Sequence, residues 1–176
     1  MPLAVTHIII AIILADLYRD YIVQKKDRKN FTLHTVMIAG IAGLLPDIDV
    51  PLEMVFRIFG AAPPEIFQHG GITHTPFFGL IFLIPAFYFI SKKNHKVALY
   101  FYMITFGILL HLFLDFILGG GRWEGIMLFW PISDMAFKIH IIKDFNIGNL
   151  PAALDALILL AWLYHEEAKH KIKDFI

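Results

Sequence analysis

The 176-residue sequence contains no cysteine. That absence excludes disulfides, thiolate nucleophiles and cysteine-type zinc sites, so any metal needs nitrogen and oxygen ligands. Charge is sparse, at 17% of residues against about 25% in soluble domains. An excess of one sign is also lacking, because fifteen Lys and Arg balance fifteen Asp and Glu. No nucleic-acid surface is therefore expected. The sequence has no P-loop, no Gly-rich dinucleotide fingerprint and no Ser-His-Asp order to supply a competing catalytic frame. Repeats, low-complexity tracts and dividing linkers are absent too, which predicts a single domain over 1–176.

Apolar residues are abundant. They make up 58% of the chain, aromatics 15%, and the mean hydropathy is +0.67. Five apolar stretches stand out: Leu3–Leu17, Leu33–Leu45, Ile72–Ile90, Val97–Leu118 and Leu150–Tyr164. The third and fourth are long enough for about 30 Å of hydrocarbon at 1.5 Å per residue. The other three are short for spanning and suit buried or partly submerged helices. No Lys or Arg precedes the first stretch, so it does not read as a signal peptide. The expected fold is all-α: an integral membrane bundle of about five helices with an irregular extracytoplasmic loop region.

Charge supplies an orientation. If the five stretches alternate up and down, Arg19–Lys29, Lys92–Lys96 and Lys169–Lys173 share one side. Eleven of the fifteen basic residues collect there, and nine of the fifteen acids lie on the other. The positive-inside tendency makes the basic side cytoplasmic and the amino terminus external. A multi-pass protein of the cell membrane is the resulting expectation.

Several helix ends are legible. Pro46 is expected to stop the second stretch. Thr75-Pro76 resembles an N-cap followed by proline at N1, with Thr73 as the alternative cap. Gly119-Gly120-Gly121 ends the fourth stretch. The region Arg122–Asn149 lacks a helical period. Weak alternation over Phe137–Ile141 points there to a short strand or extended loop.

On this topology seven metal-capable residues fall in one extracytoplasmic layer. They are His7, Asp47, Asp49, His69, His74, His111 and Asp115. His34, His95, His165 and His170 fall at the opposite ends. His111 and Asp115, four apart, share a helix face as two ligands of one ion must. Such pairs also arise by chance, as His140 and Asp144 illustrate. Cost strengthens the case, since an ionised Asp facing lipid mid-helix costs about 2.5–3.5 kcal/mol. Asp115 therefore has to face a cavity, a partner or an ion. Singly, each residue also has a plain reading: Asp47 and Asp49 as turn formers, His69 and His74 as a polar loop, His7 as an interfacial side chain. Asp155 is expected to support the site from outside it, and Asp16 to pair with Arg19 or face water.

The order of motifs resembles the YdjM-like family of membrane-bound metal-dependent hydrolases. The residues that carry it are Thr6-His7, Pro46-Asp47-Ile48-Asp49 and His69-Gly70-Gly71-Ile72-Thr73-His74. Gly107 with His111 and Asp115, then Trp130-Pro131, complete it over roughly residues 1–135. One departure is Gly70, where the family pattern carries arginine; Arg122 is the candidate to take over any charge neutralisation. The family is distantly similar to zinc-dependent phospholipase C and P1-type nucleases. That similarity implies Asp47, His74, His111 and Asp115 as ligands of one metal. It also implies Asp115 as the bridge to a second metal bound by His7. The set for a third metal is incomplete, so two ions are the maximum expected.

Histidine and carboxylate ligands without thiolate suit Zn²⁺ first, with Mn²⁺ or Fe²⁺ compatible. Such a site hydrolyses by activating water. Asp49 and His69, if not ligands, are candidates to orient a ligand or take a proton. The expected function is a membrane-bound metal-dependent hydrolase of phosphoesters, with a membrane lipid or amphipathic small molecule as substrate. A closed, purely structural metal site is the second reading. A metal-ion transporter is the third, and it predicts ligands near mid-bilayer rather than in one outer layer.

Overall fold

The computed structural model describes residues 4–23, 30–67, 69–118, 126–133, 135–139 and 150–170. Among them are seven α-helices: α1 (Ala4–Leu17), α2 (Leu33–Ala42), α3 (Asp49–Ile58), α4 (Pro76–Leu80), α5 (Leu83–Ser91), α6 (His95–Leu118) and α7 (Leu150–His170). The chain forms two compact units, Met1–Lys143 and Asp144–Ile176. The second contains α7, and the first contains the other six helices.

The fold is all-helical, as the apolar pattern predicts. α6 is the central element of the first unit, and α1, α2, α4 and α5 all pack against it. Small residues make these approaches close. Ala11, Ala15, Ala39, Ala42, Ala86 and Ala98 are all buried, in the manner of membrane helices that associate through small side chains. Gly107 is the tightest point: a Cβ there would collide with the Ala39 carbonyl and stand 2.7 Å from the Ala42 Cβ. Large apolar side chains such as Ile41, Ile84, Phe87 and Phe113 instead stand exposed. A soluble surface seldom tolerates such an arrangement and a lipid-facing one requires it.

Helix ends differ from expectation in instructive ways. α2 finishes at Ala42, and tight i→i−3 bonds carry the chain through Gly43–Leu45. Pro46 does not stop α2 but opens a 3₁₀ turn, Pro46–Ile48, that leads directly into α3. Proline is well suited to that first position because its missing N–H has no partner to lose. The third apolar stretch is not one helix. It breaks at Ile81-Phe82 between α4 and α5, where Pro85 has no N–H to donate to the Ile81 carbonyl. Only α6 among the described residues is by itself long and apolar enough to cross a membrane; α2 with Pro46–Ile58 passes jointly, bent by 52°. Thr75, not Thr73, caps α4, accepting from the Phe78 N–H at 3.4 Å.

Past α6, Ile126 and Phe137 form an isolated antiparallel bridge, and the Ile139 N–H donates to the Phe116 carbonyl at 2.9 Å. The extended segment expected around Phe137 is therefore present through Ile139. Gly119–Gly121, Arg122, His140 and Asp144 lie outside the described residues, as does Ile141.

Candidate metal centre

Four chain segments converge at one end of the first unit. The first turns of α1 carry His7, and the turn after α2 carries Asp47. Asp49 begins α3, the loop before α4 carries His69 and His74, and the last turns of α6 carry His111 and Asp115. Glycine sets the spacing. A Cβ on Gly43 would stand 3.0 Å from the His7 carbonyl oxygen, so α1 and the end of α2 meet at contact distance. Gly107, one turn before His111, does the same for α2 and α6. His7 and His111 consequently stack, ring centroids 3.8 Å apart and planes 22° from parallel.

Four donor atoms face one another. His111 Nε2 is 3.2 Å from Asp115 Oδ2 and 3.7 Å from Asp47 Oδ1. His74 Nε2 is 3.6 Å from Asp47 Oδ1 and 4.0 Å from Asp115 Oδ2. Ligands of a tetrahedral ion with bonds of about 2.0–2.2 Å stand roughly 3.3–3.6 Å apart. The four histidine–carboxylate separations run from 3.2 to 4.0 Å, at or a little beyond those edges. The other Asp115 oxygen, Oδ1, points away from it and lies 3.4 Å from His7 Nε2.

Each imidazole is held from behind. His111 Nδ1 lies 2.7 Å from the Gly43 carbonyl. A carbonyl can only accept, so Nδ1 carries the hydrogen and Nε2 keeps its lone pair. His74 Nδ1 stands 3.2 Å from the Thr73 hydroxyl oxygen and 3.1 Å from Asp49 Oδ2, so it too is held from behind. Asp49 Oδ1 accepts from His69 Nδ1 at 2.9 Å, and Oδ2 also accepts from the Thr73 hydroxyl at 2.9 Å. One fully buried carboxylate thus orients two histidines and is itself locked by a threonine.

The lone-pair side is the informative one. His74 Nε2, His111 Nε2 and Asp115 Oδ1 are buried without a hydrogen-bond partner, and so is His7 Nδ1 on the ring edge away from Asp115. Leaving such groups unsatisfied costs about 1–3 kcal/mol each. Burial opposes charge on His74, yet the carboxylates of Asp47, Asp49 and Asp115 outweigh it and raise its pKa to about 9. A proton on His74 answers the same excess of negative charge that a cation would, and the two compete. His7, His111 and Asp115 form one group with donor atoms close enough for a single ion, and Asp47, His69 and His74 form another.

A family model described as the YdjM inner membrane protein matches residues 1–172. The chain belongs to the YdjM inner membrane protein family. It is also similar to the inner membrane protein YbcI of Escherichia coli (strain K12). The two are 34% identical over 106 residues, covering 58% of this chain and 57% of that relative. The aligned segment thus spans little more than half the length of that relative. No solved structure matches the chain. Membership of the YdjM family makes this a membrane protein.

In this chain all seven residues come together: His7, Asp47, Asp49, His69, His74, His111 and Asp115. Asp155 sits on α7 in the second unit. Asp16 pairs with Arg19 at 2.7 Å, as expected. Gly70 has φ +89°, a left-handed conformation that favours glycine over arginine or any other side chain. Two contributors escape a reading of the sequence alone. Thr73 reads there only as an alternative helix cap, although its place between two histidines is a signal for a positioning hydroxyl. The Gly43 carbonyl is invisible to residue-type reasoning altogether.

Proposed function

We propose that this protein is a membrane-bound, metal-dependent hydrolase of phosphoester bonds, its centre built from Asp47, His74, His111 and Asp115. The observation that carries the reading is the set of partnerless Nε2 atoms of His74 and His111, aimed at two carboxylates and fixed from behind by Asp49 and Gly43. Asp115 Oδ1 and His7 extend the same set toward a second ion. Zn²⁺ fits the donors best, with Mn²⁺ or Fe²⁺ compatible.

A divalent ion bound there would supply Lewis acidity, bringing the pKa of water toward about 7 and polarising a phosphoryl oxygen. The chain's own residues do the rest. Asp49 holds His69 and His74 in one tautomer. His69 keeps Nε2 free at the more open edge of the cluster, its side chain 13% accessible, and is placed to give or take a proton. Asp47, 23% accessible, marks the side from which substrate arrives. The burial of His7, His111 and Asp115 keeps bulk water from the opposite side.

The remaining assignments rest on charge. A multi-pass topology with the cluster on the extracytoplasmic side is supported by Lys92, Lys93 and Lys96, which lie at the start of α6, the end opposite His111 and Asp115. A substrate that is a membrane lipid or an amphipathic small molecule fits a centre at the end of a membrane helix. The structural-ion reading stands against this, and donors in excess of four favour catalysis over it. The test is hydrolysis by lipid-reconstituted protein against a panel of phosphomonoesters, phosphodiesters and phospholipids. Turnover stopped by chelator and restored by Zn²⁺ or Mn²⁺ supports the hydrolase. No chelator-sensitive turnover on any of them, with metal still bound, points to the structural ion.

A further inference from the structure

A cavity of about 1030 Å³ lies at the end of the first unit away from the His/Asp cluster. α1 and α6 run antiparallel there. His7 meets His111 at one end, while Leu14 to Ile22 and Phe106 to His95 wall the cavity at the other. The wall is graded. Leu14, Met103 and Phe106 make its deep end wholly apolar, and Tyr18, Asn30 and His95 bring polar groups to its outer end. Along α6 the lining extends from His95 to Phe106, which is about 16 Å. That is one leaflet's share of a hydrocarbon core about 30 Å thick.

The chain that flanks the outer end is cationic, although no lysine belongs to the lining itself. Lys92, Lys93 and Lys96 are exposed beside the lining residues Ile90 and His95. A wall that is apolar for one leaflet's depth and then polar, with a basic flank, has the chemistry of a lipid with an anionic headgroup. Basic rims of this kind between membrane helices recognise acidic phospholipids. The rim stands sixteen residues of α6 from His111, or about 24 Å. A headgroup held there is far from the proposed centre and is not its substrate.

We propose that this cavity binds one anionic phospholipid, its acyl chain against Leu14, Met103 and Phe106 and its phosphate at Lys92, Lys93 and Lys96. The lipid covers the open groove between α1 and α6, and ties the basic end of the bundle to the membrane surface. This site is independent of the hydrolase reading, and its test involves no activity.

The experiment is native mass spectrometry of the full chain in maltoside micelles, titrated with phosphatidylglycerol or with phosphatidylcholine of the same acyl composition. One phosphatidylglycerol retained per chain is expected, with phosphatidylcholine at least about tenfold weaker. The triple variant Lys92→Gln, Lys93→Gln, Lys96→Gln should weaken phosphatidylglycerol about a hundredfold at low salt, and much less at high salt. Met103→Trp should abolish retention by filling the deep end. If that variant fails to fold, the lysine variant, altered only at exposed positions, still decides. Equal retention of the two lipids, or an unchanged affinity in the lysine variant, would overturn the proposal. So would a wild-type dimer that holds no lipid and that Met103→Trp splits.

Discussion

His111 donates its Nδ1 hydrogen to the carbonyl oxygen of Gly43 at 2.7 Å, across the α2–α6 crossing. The bond exists because Gly107 has no side chain to hold the two helices apart. It fixes which nitrogen of His111 faces the cluster, so backbone packing and ligand chemistry are one arrangement.

Removing charge from the centre should be decisive. Asp115→Asn keeps the size of the side chain but not the negative charge that offsets a cation. Metal content should fall and phosphoester hydrolysis should be lost while the protein still folds. His34→Ala and His95→Ala, at exposed positions away from the cluster, should retain metal. Elemental analysis of the purified variants checks this, and equal metal in all of them would refute the assignment.

Asp49 should act through the histidines it holds. Asp49→Ala frees the Nδ1 atoms of His69 and His74, and should weaken metal affinity about 10- to 100-fold with helical content unchanged. Thr73→Val removes the hydroxyl that contacts both Asp49 and His74 Nδ1 but leaves the carboxylate in place, and should cost less. Competition against a metal indicator gives both values, and an Asp49→Ala affinity equal to wild type would remove its positioning role.

The glycine at the helix crossing is expected to be nearly as sensitive as a ligand. Gly107→Val forces α6 off α2 and should destabilise the fold by about 1–3 kcal/mol through overpacking. The loss of metal should follow from the broken His111–Gly43 bond. Thermal unfolding in detergent reads the first effect and elemental analysis the second. A stable, metal-replete Gly107→Val protein would contradict the packing reading.

Chelation should destabilise the wild type. A cation that binds the native state and not the unfolded one contributes about 2.7 kcal/mol at a hundred times its dissociation constant. Unfolding midpoints should therefore drop by several degrees on metal removal and recover on adding Zn²⁺. Asp115→Asn should show neither change.

Much of this arrangement is legible in the amino-acid sequence. His111 and Asp115 share a face by their spacing, and the cost of a lone acid in an apolar helix requires that Asp115 have a partner. Thr75-Pro76 announces the start of α4. What stays hidden depends on backbone. Pro85 breaks the third apolar stretch by withholding one N–H, yet hydropathy reads straight through it. α3 follows a 3₁₀ turn opened by Pro46, where a proline after an apolar stretch suggests a stop rather than a beginning. The double role of Asp49 depends on the His69–His74 loop folding back over the head of α3, which no local pattern states.

Whether the buried His/Asp cluster is a metal site is tested most directly by elemental analysis of wild-type protein, with anomalous scattering to position the ion. The predicted result is one or two divalent ions per chain, the first bound by His74 Nε2, His111 Nε2, Asp47 and Asp115. Protein that stays metal-free after incubation with Zn²⁺, Mn²⁺ or Fe²⁺, and whose unfolding temperature ignores all three, would contradict it.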